Sequence, residues 1–300
     1  MAQKKQEASK PSLKKTIWLS IAAGFFLLIT NTAIWVNNQI FDADNFTSTV
    51  TTSLTSESSR NAISQEITDR MFADRPIAKR IAGDFSVKLI GGLLDTDQFR
   101  NVLTPAVEKM QVYVTSSNQE SVVVELGGVK DIITKITNVS ESFGRDATVN
   151  PENIPNEIII VNEKDVPDLY KIGVAFLWLA PLSLLAALIL LAYPYIKHLN
   201  DKRKILITQG SIITVIGLLA LMVGPLFKPP VLAVAKGPNG REVIGNLYNS
   251  FIASFNSQTI ILTLLGVLIV LIGTAWVGYP YVKGMVQSRK STKTTPKKSS

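Results

Sequence analysis

Four stretches of this chain carry no charged side chain and are each long enough to cross a bilayer: residues 16–36, 172–196, 205–227 and 259–282. A helix needs about 20 apolar residues to cross a hydrocarbon core about 30 Å thick. Inside lipid a helix satisfies its own backbone hydrogen bonds. The sequence therefore predicts an α-helical membrane protein with four transmembrane helices.

The first of these stretches follows Lys14 and Lys15, as the apolar core of a secretion signal would. A cleavable signal has a shorter core, about 7–15 residues, followed by a small-residue cleavage site. No A-x-A sequence comes directly after residue 36. We expect an uncleaved signal anchor.

Basic residues are concentrated in three segments, residues 1–15, 197–204 and 283–300. These segments hold 15 of the 31 Lys and Arg residues and two of the 23 acidic residues. Because Lys and Arg near helix ends stay on the cytoplasmic side, both termini and the short loop are predicted to be cytoplasmic. Residues 37–171 and 228–258 are then extracytoplasmic, at a bacterial plasma membrane.

The same distribution explains the isoelectric point of about 9.5. The positive charge follows the predicted topology, so nucleic acid is not expected as a partner. The lipid bilayer is the expected environment of the spans. The basic tail, residues 283–300, is predicted to be disordered and could contact anionic lipid headgroups, at about 1 kcal/mol per base.

The four predicted spans contain no Asp, Glu, Lys, Arg or His. Such residues mark ion and proton routes in membranes, so the sequence does not favour a coupled transporter or a proton pump. Glycines recur every seventh residue, at positions 210, 217 and 224 and at positions 266 and 273. Small residues on one helix face allow close helix contact, which predicts that spans three and four pack through these glycines.

The segment between the first two spans shows mainly helical periodicity. It contains five groups of apolar residues at helical spacing, which predict five amphipathic helices around one core: Phe46, Val50 and Leu54; Ile63, Ile67 and Met71; Ile77, Ile81, Phe85 and Leu89; Phe99, Leu103, Ala106, Met110 and Tyr113; Val129, Ile132, Ile136, Val139 and Phe143. Residues 121–126 and 157–161 are β-branched runs between turn residues. They predict a small two-stranded β-ribbon, and a further amphipathic helix is expected before span four, within residues 228–258.

An aspartate motif occurs twice in this segment, at residues 41–46 (FDADNF) and 94–99 (LDTDQF). An aspartate just before a helix accepts hydrogen bonds from free N–H groups of the first turn. A calcium loop would continue with oxygen ligands at alternating positions, where this chain has Phe46 and Phe99. Helix capping is therefore the preferred interpretation, with a metal site as the alternative.

Residue patterns typical of catalysis are absent from the sequence. The chain has no cysteine and a single histidine, His198, in a predicted cytoplasmic loop. No metalloprotease, nucleophile-elbow or phosphate-loop motif occurs, and the acid pair Glu66 and Asp69 is expected on a solvated helix face. We predict no catalytic, cofactor-binding or metal-binding residues, and a protein that is not an enzyme.

Residues 35–68, and above all Phe41, Asp42, Asp44 and Phe46, carry a resemblance to a family of mainly actinobacterial integral membrane proteins. Its members show a first span, an L-D-T-D-R-[FY]-V-x-T-V motif, a helical outer domain and three further spans. The family has polar or aromatic residues (Trp, Asn and His) about where this chain has Leu103, Val107 and Gln111. The family has no established activity, so the resemblance implies topology and fold only.

Two functions fit these features. The first is a non-enzymatic membrane protein whose outer helical domain binds an envelope component or another membrane protein. The alternative is a permease-like subunit resembling FtsX-type proteins, which share the order of span, outer domain and three spans. Those proteins need a substantial cytoplasmic segment between spans two and three, where this chain has only residues 198–204.

Overall fold

The computed structural model describes most of the chain, namely residues 13–73, 76–116, 122–125, 157–161, 170–197 and 202–291. Three features predicted from the sequence lie outside the described residues: the amphipathic segment 129–143, the approach to the second span from residue 165, and His198. Two short strands, β1 (Val122–Glu125) and β2 (Glu157–Val161), pair antiparallel, with Val124 opposite Ile158.

Helices make up the rest of the described structure. In chain order they are α1 (Leu13–Val36), α2 (Ala43–Leu54), α3 (Glu57–Met71), α4 (Pro76–Leu94), α5 (Asp97–Thr115), α6 (Tyr170–Lys197), α7 (Lys202–Leu221), α8 (Val223–Ala233) and α9 (Gly237–Ser291). A π-helical turn, Asn37–Phe41, continues α1. Within the described residues, four helical segments are long and apolar enough to cross a membrane, in α1, in α6, in α7 with α8, and in α9. The helical class and the four apolar helices of a multi-pass membrane protein agree with the prediction.

The chain forms two compact units, and the first is built from α1, most of α6, α7 and the carboxyl-terminal part of α9. Hydrogen bonds between buried polar side chains join its helices. The Thr30 and Ser183 hydroxyls lie 2.8 Å apart, and Asn31 Nδ2 donates to Thr259 Oγ1 at 3.0 Å. Gln209 Nε2 donates to the carbonyl of Leu191 at 2.8 Å. Polar groups in the apolar helices thus serve helix packing.

Glycines bring α7 and α9 together in this unit. A Cβ placed on Gly210 would lie 2.8 Å from the backbone nitrogen of Val270 and 2.9 Å from the carbonyl oxygen of Gly266. A Cβ on Gly266 would lie 2.7 Å from the backbone nitrogen of Thr214. The backbones are therefore too close for any side chain, and the predicted packing through the two glycine series is confirmed.

The second unit contains the π turn, α2 to α5, the two strands, the first turns of α6, α8 and the first turns of α9. α3 packs beside α4, and α2 beside α5. α3 has three completely buried hydroxyl residues, Ser59, Ser64 and Thr68. A Cβ on Gly91 of α4 would lie 3.4 Å from Ser64 Oγ. This part of the core therefore depends on close helix approach between small residues more than on large apolar side chains.

The prediction of which face of α4 is buried in the core is wrong. Ile77 is 76% exposed, Ile81 75% and Phe85 49%. The helix instead buries the face that carries Ala82, Ile90 and Leu94. Helical spacing shows that α4 has an apolar face. It does not show which face is buried when the opposite face carries small side chains, because small side chains also allow a neighbouring helix to approach closely.

The face of α5 differs from the prediction in a similar way. Tyr113 is buried as expected, whereas Met110 is exposed. Val107 and Gln111, which were not predicted to be in the core, are buried. Gln111 Nε2 donates to the carbonyls of Ile40 and Phe41, both at 3.2 Å. A buried amide thus satisfies two carbonyls at the π turn, where the regular helical pattern ends.

The two aspartate motifs begin their helices at different positions, one residue after Asp42 in the first motif and two residues after Asp95 in the second. Asp42 caps α2, because its carboxylate accepts a hydrogen bond of 2.9 Å from the N–H of Asn45. In the second motif the cap of α5 is Thr96, whose hydroxyl accepts from the N–H of Phe99. The prediction of aspartate capping is confirmed for Asp42 and wrong for Asp95. A threonine occupies the position that Ala43 has in the first motif, so the second helix can begin one residue later.

Candidate binding groove

An open groove of about 330 Å³ lies between α3 and the first turns of α9, within the second unit. We call it the α3–α9 groove. Its apolar lining comes from Ala62, Ile63 and Ile67 of α3 and from Val243 and Ile244 of α9, and its polar lining from Glu66, Arg70 and Asn239. It thus combines an apolar surface with a few polar groups, the usual composition of a binding site.

Two asparagines hold α9 against α3. Asn246 Nδ2 donates to the hydroxyls of Ser58 and Ser59, at 2.7 and 3.0 Å. Asn239 Nδ2 donates to Glu66 Oε2 at 3.3 Å. Residues seven apart lie on nearly the same face of a helix, so the two asparagines attach α9 to α3 two turns apart. Val243 lies between these two contacts and lines the groove.

Local sequence fixes where both helices begin. Ser56 caps α3 by accepting a hydrogen bond from the N–H of Ser59, and Glu57 places a negative charge in the first turn, where it stabilises the helix dipole. α9 begins at Gly237, which has a φ of +73°, a conformation that a residue with a side chain rarely adopts. Pro238 follows in the first turn, the helical position that proline tolerates best.

Two charged pairs of α3 lie at or near the groove. Arg70 Nε donates to Glu66 Oε1 at 2.9 Å; this hydrogen bond, with that from Asn239, lowers the pKa of Glu66. Lys79 Nζ lies 2.9 Å from Asp69 Oδ1, and its hydrogen bond is the main cause of a lowered Asp69 pKa. Both carboxylates are therefore ionised at neutral pH. A general acid would need a raised pKa, so neither carboxylate suits that role.

The aspartate motifs do not line the groove. Asp42 caps α2, and Asp95 forms ion pairs with Arg60 and, at 3.7 Å, with Arg100. Among the described residues, no group of three or more His, Cys, Asp or Glu side chains could hold a metal ion.

The α3–α9 groove was not predicted from the sequence. Ile63 and Ile67 were expected in the core, and Glu66 on a solvated face. Val243 lies in the amphipathic helix that was expected within residues 228–258, but no local pattern pairs it with α3, from which it is separated by about 170 residues. Asn239 and Asn246 are polar residues on the face of α9 that carries Val243. In the sequence, their spacing indicates that this face contacts another helix.

A second polar cluster lies beside the π turn. Gln39 is buried; its Nε2 donates to Thr49 Oγ1 at 2.6 Å, and its Oε1 accepts from the Ser254 hydroxyl at 2.7 Å. Trp35 is close to Gln39 in the sequence, and Phe255 adjoins Ser254. The two rings make an edge-to-face contact, with centroids 5.5 Å apart. Because both amide atoms of Gln39 are satisfied within the unit, this cluster fits a structural role.

Comparison of the chain with protein-family models, with curated proteins and with solved structures finds no match.

Proposed function

We propose that this chain is a multi-pass protein of a bacterial plasma membrane that displays its second unit outside the cytoplasm as a non-enzymatic binding module. In this proposal the unit binds another membrane protein or an envelope component through the α3–α9 groove. The observation that supports this proposal is the α3–α9 groove, an accessible apolar surface bordered by polar groups. Of the two helices that form it, α3 lies between apolar helices in the sequence.

The groove favours an apolar segment with polar flanks as the occupant. Ile63 and Ile67 of α3 and Val243 of α9 offer apolar contacts along the groove. Glu66 and Arg70 neutralise each other, so neither an anion nor a cation is selected by net charge. One face of an amphipathic helix, or a short apolar chain with a polar end, has this chemistry.

The orientation of the unit rests on the distribution of basic residues. Lys and Arg are concentrated in residues 1–15, 197–204 and 283–300, which supports cytoplasmic termini. The bilayer is then the permanent partner of the apolar helices, and the basic tail supplies a contact with anionic headgroups. On its aspartate motif we place the chain beside the actinobacterial membrane proteins that it resembles.

A permease-like subunit of the FtsX type is the second candidate. The order of one apolar helix, a helical unit and three further apolar segments favours it. The connection between α6 and α7 does not, because α6 ends at Lys197 and α7 begins at Lys202. Co-purification of the full chain with an ATP-hydrolysing subunit would support this candidate.

Site-specific photo-crosslinking tests the binding proposal. A benzoylphenylalanine at Val243, in the groove, is compared in native membranes with one at Glu108, which is exposed on α5. We expect an adduct of defined mass from position 243 and none from position 108.

Two substitutions show whether the groove makes the adduct. Ile67→Asp, in the groove lining, should abolish the adduct at position 243, because it places a charge on the apolar surface. Val112→Asp makes the same kind of change at an exposed residue of α5 and should leave the adduct unchanged. No adduct, or an adduct insensitive to Ile67→Asp, would contradict the proposal.

A further inference from the structure

Among the described helices α2 to α5, α4 carries the largest group of exposed large apolar side chains. Ile77 and Ile81 are 76% and 75% exposed, and Phe85 is 49% exposed. The three side chains are spaced four residues apart, so they form one stripe along the helix. We call it the α4 stripe. Large apolar side chains exposed together in this way mark interaction surfaces more often than scattered ones do.

One flank of the stripe carries the opposite charges of Arg80 and Asp84, and the exposed base Lys88 follows one turn later. Arg80 and Asp84 are exposed and four residues apart, so they lie beside each other along the same side of the helix. Within the part of the chain that the structure describes, neither has an ion-pair partner. The neighbouring base Lys79 is already paired with Asp69.

The opposite charges of Arg80 and Asp84 can pair with the same two residues of a second copy. In an antiparallel pair of identical helices, each flank meets the same flank of the other copy. A two-fold axis that crosses the stripe at the level of residue 82 along the helix places residue 80 of one copy opposite residue 84 of the other, and the reverse. Both contacts join Arg80 to Asp84, while Ile81 lies close to the axis and the two stripes cover each other.

From this complementarity we propose that α4 is a self-association surface, through which two copies of the chain pair antiparallel by the α4 stripe with reciprocal Arg80–Asp84 contacts. An anionic lipid surface would attract Arg80 and Lys88 but would leave Asp84 facing the headgroups, whereas a second copy of α4 gives both Arg80 and Asp84 an opposite charge. A single helix pair buries less area than a stable soluble dimer, which needs about 1,200–2,000 Å². Confinement of both copies to one membrane raises their effective concentration, so a small contact suffices for reversible pairing.

Cysteine crosslinking tests the pairing, since the chain has no cysteine of its own. In the full chain in membranes, Ile81→Cys should form a disulfide-linked dimer on mild oxidation, because the two sulfurs lie close to the axis. Glu108→Cys on the exposed surface of α5 gives the background from random collision. Equal dimer yields from the two positions would overturn the proposal.

Charge reversal in the Ile81→Cys background tests the register. Arg80→Asp and Asp84→Arg should each lower the dimer yield about threefold or more, because each creates two like-charge contacts. The double variant, Arg80→Asp with Asp84→Arg, should restore it. If a lipid surface or a different protein covers α4, the double variant will not restore the yield, and the proposal is overturned.

Discussion

Arg60 of α3 forms an ion pair with Asp95, the residue that matches the helix-capping Asp42 in the second copy of the aspartate motif. The two aspartates therefore have different roles in nearly identical sequences. Asn replaces Asp well as a helix cap, but it cannot neutralise an arginine. We expect Asp42→Asn to leave the free energy of unfolding nearly unchanged and Asp95→Asn to lower it by about 1 kcal/mol.

Chemical unfolding of the full chain in detergent measures both changes. Thr96→Ala is the complementary variant, because it removes the observed cap of α5 and should cost about 1 kcal/mol. If Asp95→Asn were neutral and Asp42→Asn costly, the assignment of the two roles would be reversed.

The contact between α7 and α9 is predicted to tolerate no side chain at Gly210. A methyl group there would meet the backbone of Val270 and Gly266, at 2.8 and 2.9 Å. Backbone atoms cannot move aside as a flexible side chain can, so we expect Gly210→Ala to lower the thermal unfolding midpoint in detergent, at a cost of about 1–3 kcal/mol.

Gly92 of α4 supplies the matched control, because a Cβ there has no atom within 4 Å. Alanine has the higher helix propensity, so Gly92→Ala should stabilise the chain by about 0.5–1 kcal/mol. Equal effects of the two substitutions would contradict the proposed glycine contact.

The ion pairs near the groove predict acid sensitivity. The folded-state pKa of Glu66 lies below the ordinary value of 4.5 and that of Asp69 below 3.8. A lowered pKa means that the unfolded chain binds protons first as the pH falls. The contribution of these groups to stability is therefore complete above about pH 4.5 and is lost as the pH falls through the lowered values.

A carboxyl titration by NMR checks the cause of this behaviour. Lys79→Met removes the main partner of Asp69 and should raise the Asp69 pKa towards 3.8, whereas Lys88→Met, at an exposed position of α4, should not. An unchanged Asp69 pKa in Lys79→Met would show that the ion pair is absent in solution.

Local features of the structure could be predicted from the sequence because each depends on neighbouring residues alone. The length of a charge-free run decides whether a helix can cross a membrane, and the spacing of Gly210 and Gly217 places both on one helix face. Asp42 caps α2 through a bond to a residue three positions away. The cap at Thr96 was missed because aspartate and threonine both cap well and are adjacent there.

Features that depend on distant residues could not be predicted. Glu66 and Asn239 meet across 173 positions, and no local pattern pairs α3 with α9. The buried face of α4 was missed because Ser64 of α3 is small enough to accept a close neighbour, with a Cβ on Gly91 only 3.4 Å from its Oγ. Small polar residues carry no hydrophobic periodicity, so a core built from them is not visible in an apolar pattern.

In the proposed topology, the helices between the first and second apolar helices are displayed outside the cytoplasm. Labelling of single cysteines with a membrane-impermeant maleimide in intact cells tests it most directly. We expect Glu108→Cys to be labelled in intact cells and Ser300→Cys to be labelled only after the membrane is permeabilised. Labelling of Ser300→Cys in intact cells, with Glu108→Cys protected until permeabilisation, would contradict it.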